Sequence, residues 1–511
     1  MKRRLKPIVT VLAALTCSSL ALASTHETQL TNQLHSVNVQ MQHLQQQMQQ
    51  LQTQVRVLKA REKSKQVKSR RRVMVQHKAK KKHSKTARPF ALHPLGTADK
   101  QYMPFGNSVI IAPFVGVPTY YNGHQLVVNS PSINEDEKLL RRRDTADALI
   151  LKKGGDPYGR PRLTFSGALS GVTQYMNPYR GSARSEVDFT QAELDTFVEV
   201  SRWVSGLMAF TYQNAPEPLL SANRVDNSRI VLSKGFITIG NLLKSPVFGS
   251  LGQMYVPFGR YSSSMVSSPL TEFIGKTKVR AISVSYRPGG LSKPYAEAFI
   301  FSGAANSSNS RLEDVGADAG YDFTRGTLHA NLGVSYINQI ADALGMQDTG
   351  ASSGFRGFNQ NSQTEKMNRK VQGGDVHGVF GYGPVTLIAE YVTALRRFAF
   401  QNLSFNSRGA RPSAFNGEAA FNFFLLNKPS SFAVGYALSR QALALGLPRS
   451  RYSATVEMAI LRDTLFSVEY RHDINYGKHD TATGAGMNAV PDARDLGKSD
   501  NVVTAQLSVY F

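Results

Sequence analysis

From Leu163 to the final residue, apolar side chains recur at every second position in short runs broken by turn residues. In "NVVTAQLSVYF", Val503, Ala505, Leu507 and Val509 alternate with Thr504, Gln506, Ser508 and Tyr510. In "TLHANLGVSY", Leu328, Ala330, Leu332 and Val334 oppose His329, Asn331 and Ser335; in "QAELDTFVEV", Gln191, Glu193, Asp195 and Glu199 oppose Ala192, Leu194, Val198 and Val200. A period of two puts the two sets on opposite faces of a strand. Segments of this kind predict sixteen strands, near 163–175, 187–200, 203–213, 229–240, 247–257, 277–287, 294–302, 314–323, 326–338, 374–382, 384–393, 415–425, 430–439, 450–461, 464–473 and 502–511.

Their connections alternate between short and long. Only "SR", "G" and "RD" separate strands two and three, ten and eleven, and fourteen and fifteen, whereas 258–276, 339–373 and 474–501 are long. A soluble sandwich has no reason to alternate its loops in this way. An even number of strands, polar on one face and apolar on the other, with turns at one end and loops at the other, predicts a 16-stranded antiparallel transmembrane β-barrel with a watery lumen. The last strand is expected to close it, and the terminal aromatic Phe511 resembles the signal read by barrel-assembly machinery.

The N-terminal part follows a different period. Lys2, Arg3, Arg4 and Lys6, an apolar run and Ala21-Leu22-Ala23 read as a signal peptide over 1–23. A lipoprotein reading of Cys17 is weaker, since Ala14 and Thr16 do not suit a lipobox. In 24–58, Leu30, Leu34, Val37, Met41, Leu44, Met48, Leu51, Val55 and Leu58 step four, three, four, three, the seam of an α-helical coiled coil. A homo-oligomer, by analogy with porins a trimer, is expected from it; a glutamine-rich unstructured tract is the alternative.

Charge changes the picture only here. Residues 1–88 hold nineteen Lys and Arg against Glu27 and Glu62, so about +17 of the formal +24 is N-terminal. The basic linker 59–104 is either a solvated spacer or, through 59–88, an attachment to anionic lipid headgroups or cell-wall carboxylates. An exported chain has no nucleic-acid partner to expect. With Cys17 the single cysteine, the mature chain is left without disulfides or thiolate chemistry.

Neither a G-x-S-x-G elbow, an H-E-x-x-H pair nor a phosphate-binding glycine loop occurs, and "DVHGVFGYG" offers His377 without the serine an outer-membrane phospholipase needs. The sequence therefore points to no enzyme, cofactor or metal. Passage of a solute needs a constriction, which in sixteen-stranded barrels the third long loop commonly makes. Here it runs from Phe258 to Lys276, and Arg260, Lys276, Lys278 and Arg280 are expected to form a basic wall for an anion. Rim charges near the headgroups are the alternative. Tyr255 and Tyr261 either stack on the solute or belong to an aromatic girdle. Before the barrel, Asn134 is expected to cap a helix with Glu135, Asp136 and Glu137 in its first turn, within a periplasmic or lumen-entering subdomain over 105–160.

Two stretches carry a family resemblance: "VIIAPFVGVPTYYNGHQLVVNSPSINEDEKLLRRR" and "SRIVLSKGFITIGNLLKSPVFGSLGQMYVPFGRYSSSMVSSPLTEFIGKTKVRA". With them, residues 105–511 resemble the LbtU-type siderophore porins of the outer membrane. The resemblance implies uptake of a ferric carboxylate siderophore, without the large plug of energised receptors. A general or anion-selective porin, and a structural envelope barrel, remain the alternatives.

Overall fold

The computed structural model describes residues 103–105, 109–111, 133–152, 161–214, 228–289, 292–303, 312–348, 367, 369–461, 463–484 and 492–511. The signal segment, the coiled coil and the basic linker, apart from the linker's last two residues, lie outside them.

Sixteen strands form the barrel: β1 (Arg162–Asn177), β2 (Arg184–Glu199), β3 (Val204–Asn214), β4 (Ser228–Gly240), β5 (Val247–Tyr255), β6 (Lys278–Tyr286), β7 (Ser292–Phe301), β8 (Asp314–Arg325), β9 (Leu328–Ile337), β10 (Gly373–Tyr382), β11 (Val385–Ala394), β12 (Ser413–Leu425), β13 (Lys428–Arg440), β14 (Ser450–Leu461), β15 (Thr464–Ile474) and β16 (Ser499–Tyr510). Each pairs antiparallel with the next, and β16 pairs antiparallel with β1 from Asn501 opposite Asn177 to Tyr510 opposite Ala168. The alternation read from the sequence therefore gives the observed strands one for one.

Closure leaves the start of β1 overhanging β16. A short strand, Val109–Ile111, covers the overhang by pairing parallel with Leu163 to Phe165, and Met103–Phe105 pairs with it in turn. Phe511 continues the seam: its N–H donates to the Gly167 carbonyl (3.0 Å) and its carbonyl accepts from the Gly167 N–H (2.9 Å). Gly167 has no side chain because the Phe511 ring occupies the space a Cβ would need. At the short-turn end, Leu426 (φ 49°) and Asn427 (φ 59°) both take positive φ, as a two-residue hairpin of type I′ requires.

The faces are reversed relative to a soluble protein. Leu169, Leu232, Leu251, Ile282, Leu332, Leu387, Phe432, Val456 and Leu507 are exposed on the outside, while Ser166, Thr238, Ser250, Ser283, Asp318, Glu418, Ser467 and Ser508 are buried inside. A closed barrel satisfies every strand's hydrogen bonds, so an apolar exterior makes it membrane-spanning. Leu332, near the middle of β9, is 65% exposed. Replacing it with Arg is expected to cost about 2–4 kcal/mol of folding stability in phospholipid vesicles, measured by denaturant unfolding, with Leu332→Ile as the neutral control.

Three helices matter for the interior: α1 (Glu135–Lys152), α2 (Leu270–Gly275) and α3 (Leu344–Asp348). None among the described residues is long and apolar enough to cross a membrane.

Candidate functional site in the barrel lumen

Helix α1 packs against the inward face of the wall through its acidic first turn. Glu135 Oε1 accepts from Lys234 Nζ on β4 (2.8 Å), and Lys234 also ion-pairs with Glu193 on β2 (2.8 Å). Asp136 accepts from Ser250 on β5 (2.6 Å), and Glu137 ion-pairs with Arg287 beyond β6 (3.1 Å). At the other end of the helix Asp147 accepts from Arg162 on β1 (2.9 Å), which also holds Glu199 on β2 (2.8 Å). Thus the acidic residues that suit a helix N-terminus are used as pins to the barrel. Burial works to raise the Glu137 carboxyl, but Arg287 and Arg141 outweigh it and hold it below the usual range. The expected cap is not made: Asn134 has φ 54°, and its buried side-chain oxygen accepts no hydrogen bond. Asp136 Oδ1 instead accepts from the Glu137 N–H within the first turn (2.8 Å).

The loop 256–277, between β5 and β6, runs along the inner wall and is fastened there by three glutamates. Glu390 on β11 accepts the Arg260 N–H (2.7 Å) and Tyr261 N–H (2.9 Å) on one oxygen and the Thr271 hydroxyl (2.7 Å) on the other. On β12, Glu418 accepts the Ser263 hydroxyl (2.7 Å) and the Ser264 N–H (2.6 Å). Glu469 on β15 accepts the N–H groups of Val266 (2.6 Å) and Ser267 (3.0 Å). Arg451 on β14 completes the row by donating to the Ser268 carbonyl (3.1 Å). Successive N–H groups form a concavity that suits a carboxylate; Tyr261 (φ 52°) and Gly259 (φ 75°) supply the left-handed turns. Gly259 also leaves room for the Tyr261 ring, with which a Cβ there would collide. Apolar packing of Phe258, Tyr261, Leu270 and Ile274 fills the space behind the loop, and the Leu344 N–H of α3 donates to the Lys276 carbonyl (2.9 Å).

The six residues singled out in the sequence do not form one wall. Arg260 stands in the lumen, and its guanidinium makes no hydrogen bond or ion pair among the described residues. Its charge reaches α1: burial first, and Arg260 second, lower Lys138 to about 8. Lys276 is paired with Glu272 (2.7 Å) and lies 4.8 Å from the centroid of the Tyr255 ring, with Lys278 at 5.8 Å. Along β6 the buried residues are Ala281, Ser283 and Ser285, so Lys278 and Arg280 share the outward face with Ile282, Val284 and Tyr286, and Arg280 is exposed there. Two of the four expected cations therefore lie at the rim on the outside. Tyr261 is fully buried and its hydroxyl donates to the Phe258 carbonyl (2.6 Å), so it braces the loop and has no free face for a solute.

Sequence reasoning missed the three anchoring glutamates. Each sits on the polar face of its strand, which was a usable signal, but its loop partners lie 119 to 203 residues away in the chain. His377, given no role above, faces inward beside Asp375 on β10 and opposite Glu390 on β11.

No family model matches the chain. A UPF0422 protein of Coxiella burnetii (strain RSA 493 / Nine Mile phase I) is 39% identical over 404 residues, covering 78% of this chain and 83% of its own. One from Legionella pneumophila (strain Lens) is 37% identical over 413 residues, covering 80% and 77%. Among solved structures, the anion-selective porin from Comamonas acidovorans superposes with TM-score 0.44 at 10% identity, over 69% of this chain and 100% of that one. The outer membrane channel DcaP of Acinetobacter baumannii gives 0.44 at 14%, over 68% and 97%. With more than a third of its residues shared across four-fifths of its length, the chain belongs to the UPF0422 protein family.

Proposed function

We propose that this protein is an outer-membrane channel for an anionic solute, bound in passage between Arg260 of the inward loop and Lys138 of α1. The observation that carries the reading is the arrangement of Arg260. Its backbone is clamped to Glu390 while its guanidinium has no hydrogen bond or ion pair among the described residues. Arg162, Lys234, Arg287 and Arg451, which also face inward, are each committed to carboxylates. Arg260 and Lys138 repel each other and, among the described residues, share only the Glu137 carboxylate between them, which Arg287 and Arg141 also hold, so a solute anion relieves the remaining repulsion. An apolar exterior and a polar interior support the membrane setting.

The finer assignment is a ferric carboxylate siderophore, on the resemblance to LbtU-type porins. A lumen narrowed by both α1 and the loop supports selective passage over general diffusion. In the same reading the long loops face outward, 24–58 self-associates in the periplasm, 59–88 contacts anionic envelope surfaces and Phe511 engages the assembly machinery. Single-channel conductance in a planar bilayer tests it, with the ferric siderophore titrated against an iron-free control. Concentration-dependent block is expected, weakened roughly 10- to 100-fold by Arg260→Ala, the loss of one charged hydrogen bond of about 1.5–3 kcal/mol. Lys278→Ala and Arg280→Ala are expected to leave it unchanged. Block is also expected to weaken as pH rises past about 8, where Lys138 loses its proton, and Lys138→Arg to remove that dependence. A channel indifferent to the siderophore would leave a general porin, and no conductance would leave a structural barrel.

A further inference from the structure

We infer that Asp375, His377 and Glu390 form a binding site for a divalent transition-metal ion that ties the inward loop to the barrel wall. This goes beyond the transport reading and stands without it. Asp375 and His377, two apart on β10, share its inward face, and Glu390 on β11 lies directly opposite His377 in the register. All three are buried, and one donor atom from each lies within 4.8 Å of the other two.

Their hydrogen bonds leave the group incomplete. His377 Nδ1 is 2.6 Å from Asp375 Oδ1, and Nε2 is 3.2 Å from the Tyr295 hydroxyl. Ser335 lies between Asp375 (3.3 Å) and Asp318 on β8 (3.0 Å), adding a third carboxylate to the neighbourhood. Asp375 Oδ2 is buried with no donor from a neutral or cationic group, and the Asp375 and Glu390 carboxyls lie within hydrogen-bonding reach of each other. Arg260 and Arg287 are the cations whose charges reach His377, and Arg287 is already engaged by Glu137 (3.1 Å) and Glu297 (3.8 Å). Buried carboxylates in excess of cations are costly. A divalent ion removes that excess and bridges the two carboxyls that otherwise face each other, Asp375 and Glu390.

The donor set decides the class of ion. One imidazole nitrogen with carboxylate oxygens suits zinc, manganese, iron(II) or cobalt, whereas calcium and magnesium favour all-oxygen shells. Position decides the consequence. Glu390 is the carboxylate that accepts the Arg260 and Tyr261 N–H groups and the Thr271 hydroxyl. An ion on Glu390 therefore restrains the segment that presents Arg260.

The full chain, refolded in detergent, is dialysed against Zn²⁺ or Mn²⁺. Wild type is expected to retain one equivalent more than Asp375→Asn or His377→Gln, whose affinity at this site falls at least about tenfold. Equal retention by wild type and both variants would place the bound ions elsewhere and overturn the site. Should the variants not fold, hydrogen exchange of wild-type peptides spanning 256–277 decides. Slower exchange of the Arg260 and Tyr261 amides with metal than with chelator supports the inference; identical exchange overturns it.

Discussion

Replacing Lys234 with methionine is expected to cost about 3–5 kcal/mol and to free α1 from the wall, because removing one partner of a buried ion pair strands the other. Here two carboxylates are stranded: Glu135 on the helix and Glu193 on β2, both 2.8 Å from Lys234 Nζ, whose side chain is 2% exposed. Methionine matches the length of lysine, so the loss reads the charge and little of the packing. Denaturant unfolding in detergent measures the cost. Trypsin measures the detachment, since Lys138, Arg141, Arg142 and Arg143 all lie in α1 and become cleavable when it leaves the lumen. Lys234→Arg, which keeps the charge, is expected to retain protection. Undiminished protection in Lys234→Met would show that the Asp147–Arg162 and Glu137–Arg287 pairs hold the helix unaided.

The barrel was legible because membrane strands repeat one local rule. Alternation in segments such as Leu328–Ile337 and Ser499–Tyr510 fixed each strand, and the contrast between two-residue turns and long loops fixed their order. For Lys278 and Arg280, expected either in a basic wall or as rim charges, the same rule followed to the strand's end favours the rim. Counting back by twos from Tyr286, Val284 and Ile282 puts both on the outer face, against the cost of a charge in lipid, which favours the inside. A strand end at the rim escapes that cost, which falls toward zero near the interface. Helix α1 was legible from its acidic first turn, yet the meaning of those acids was not. Their partners, Lys234, Ser250 and Arg287, are set by the closure of the barrel, which no local pattern encodes. Arg260 lies on the inward loop, and Glu390, which accepts its backbone N–H there, carries no local signal in the sequence for the same reason.

Removing two of the three loop anchors, as Glu418→Ala with Glu469→Ala, is expected to raise single-channel conductance severalfold. Together they accept the Ser263 hydroxyl and the N–H groups of Ser264, Val266 and Ser267. Hydrogen bonds to a charged acceptor contribute about 1.5–3 kcal/mol each, so the four hold the middle of the loop by several kcal/mol even after water entering the lumen offsets part of the loss. Freed, the stretch from Ser263 to Ser267 can leave the path, while Glu390 still clamps Arg260 and Tyr261. Conductance and anion block should therefore separate: the double variant conducts more but keeps an Arg260-dependent block, whereas Glu390→Ala weakens the block. Gln in place of both glutamates retains an acceptor at each position and should fall between. An unchanged conductance in the double variant would assign the loop's position to the apolar packing of Phe258, Leu270 and Ile274, with the carboxylates serving only to satisfy the N–H groups that this packing buries.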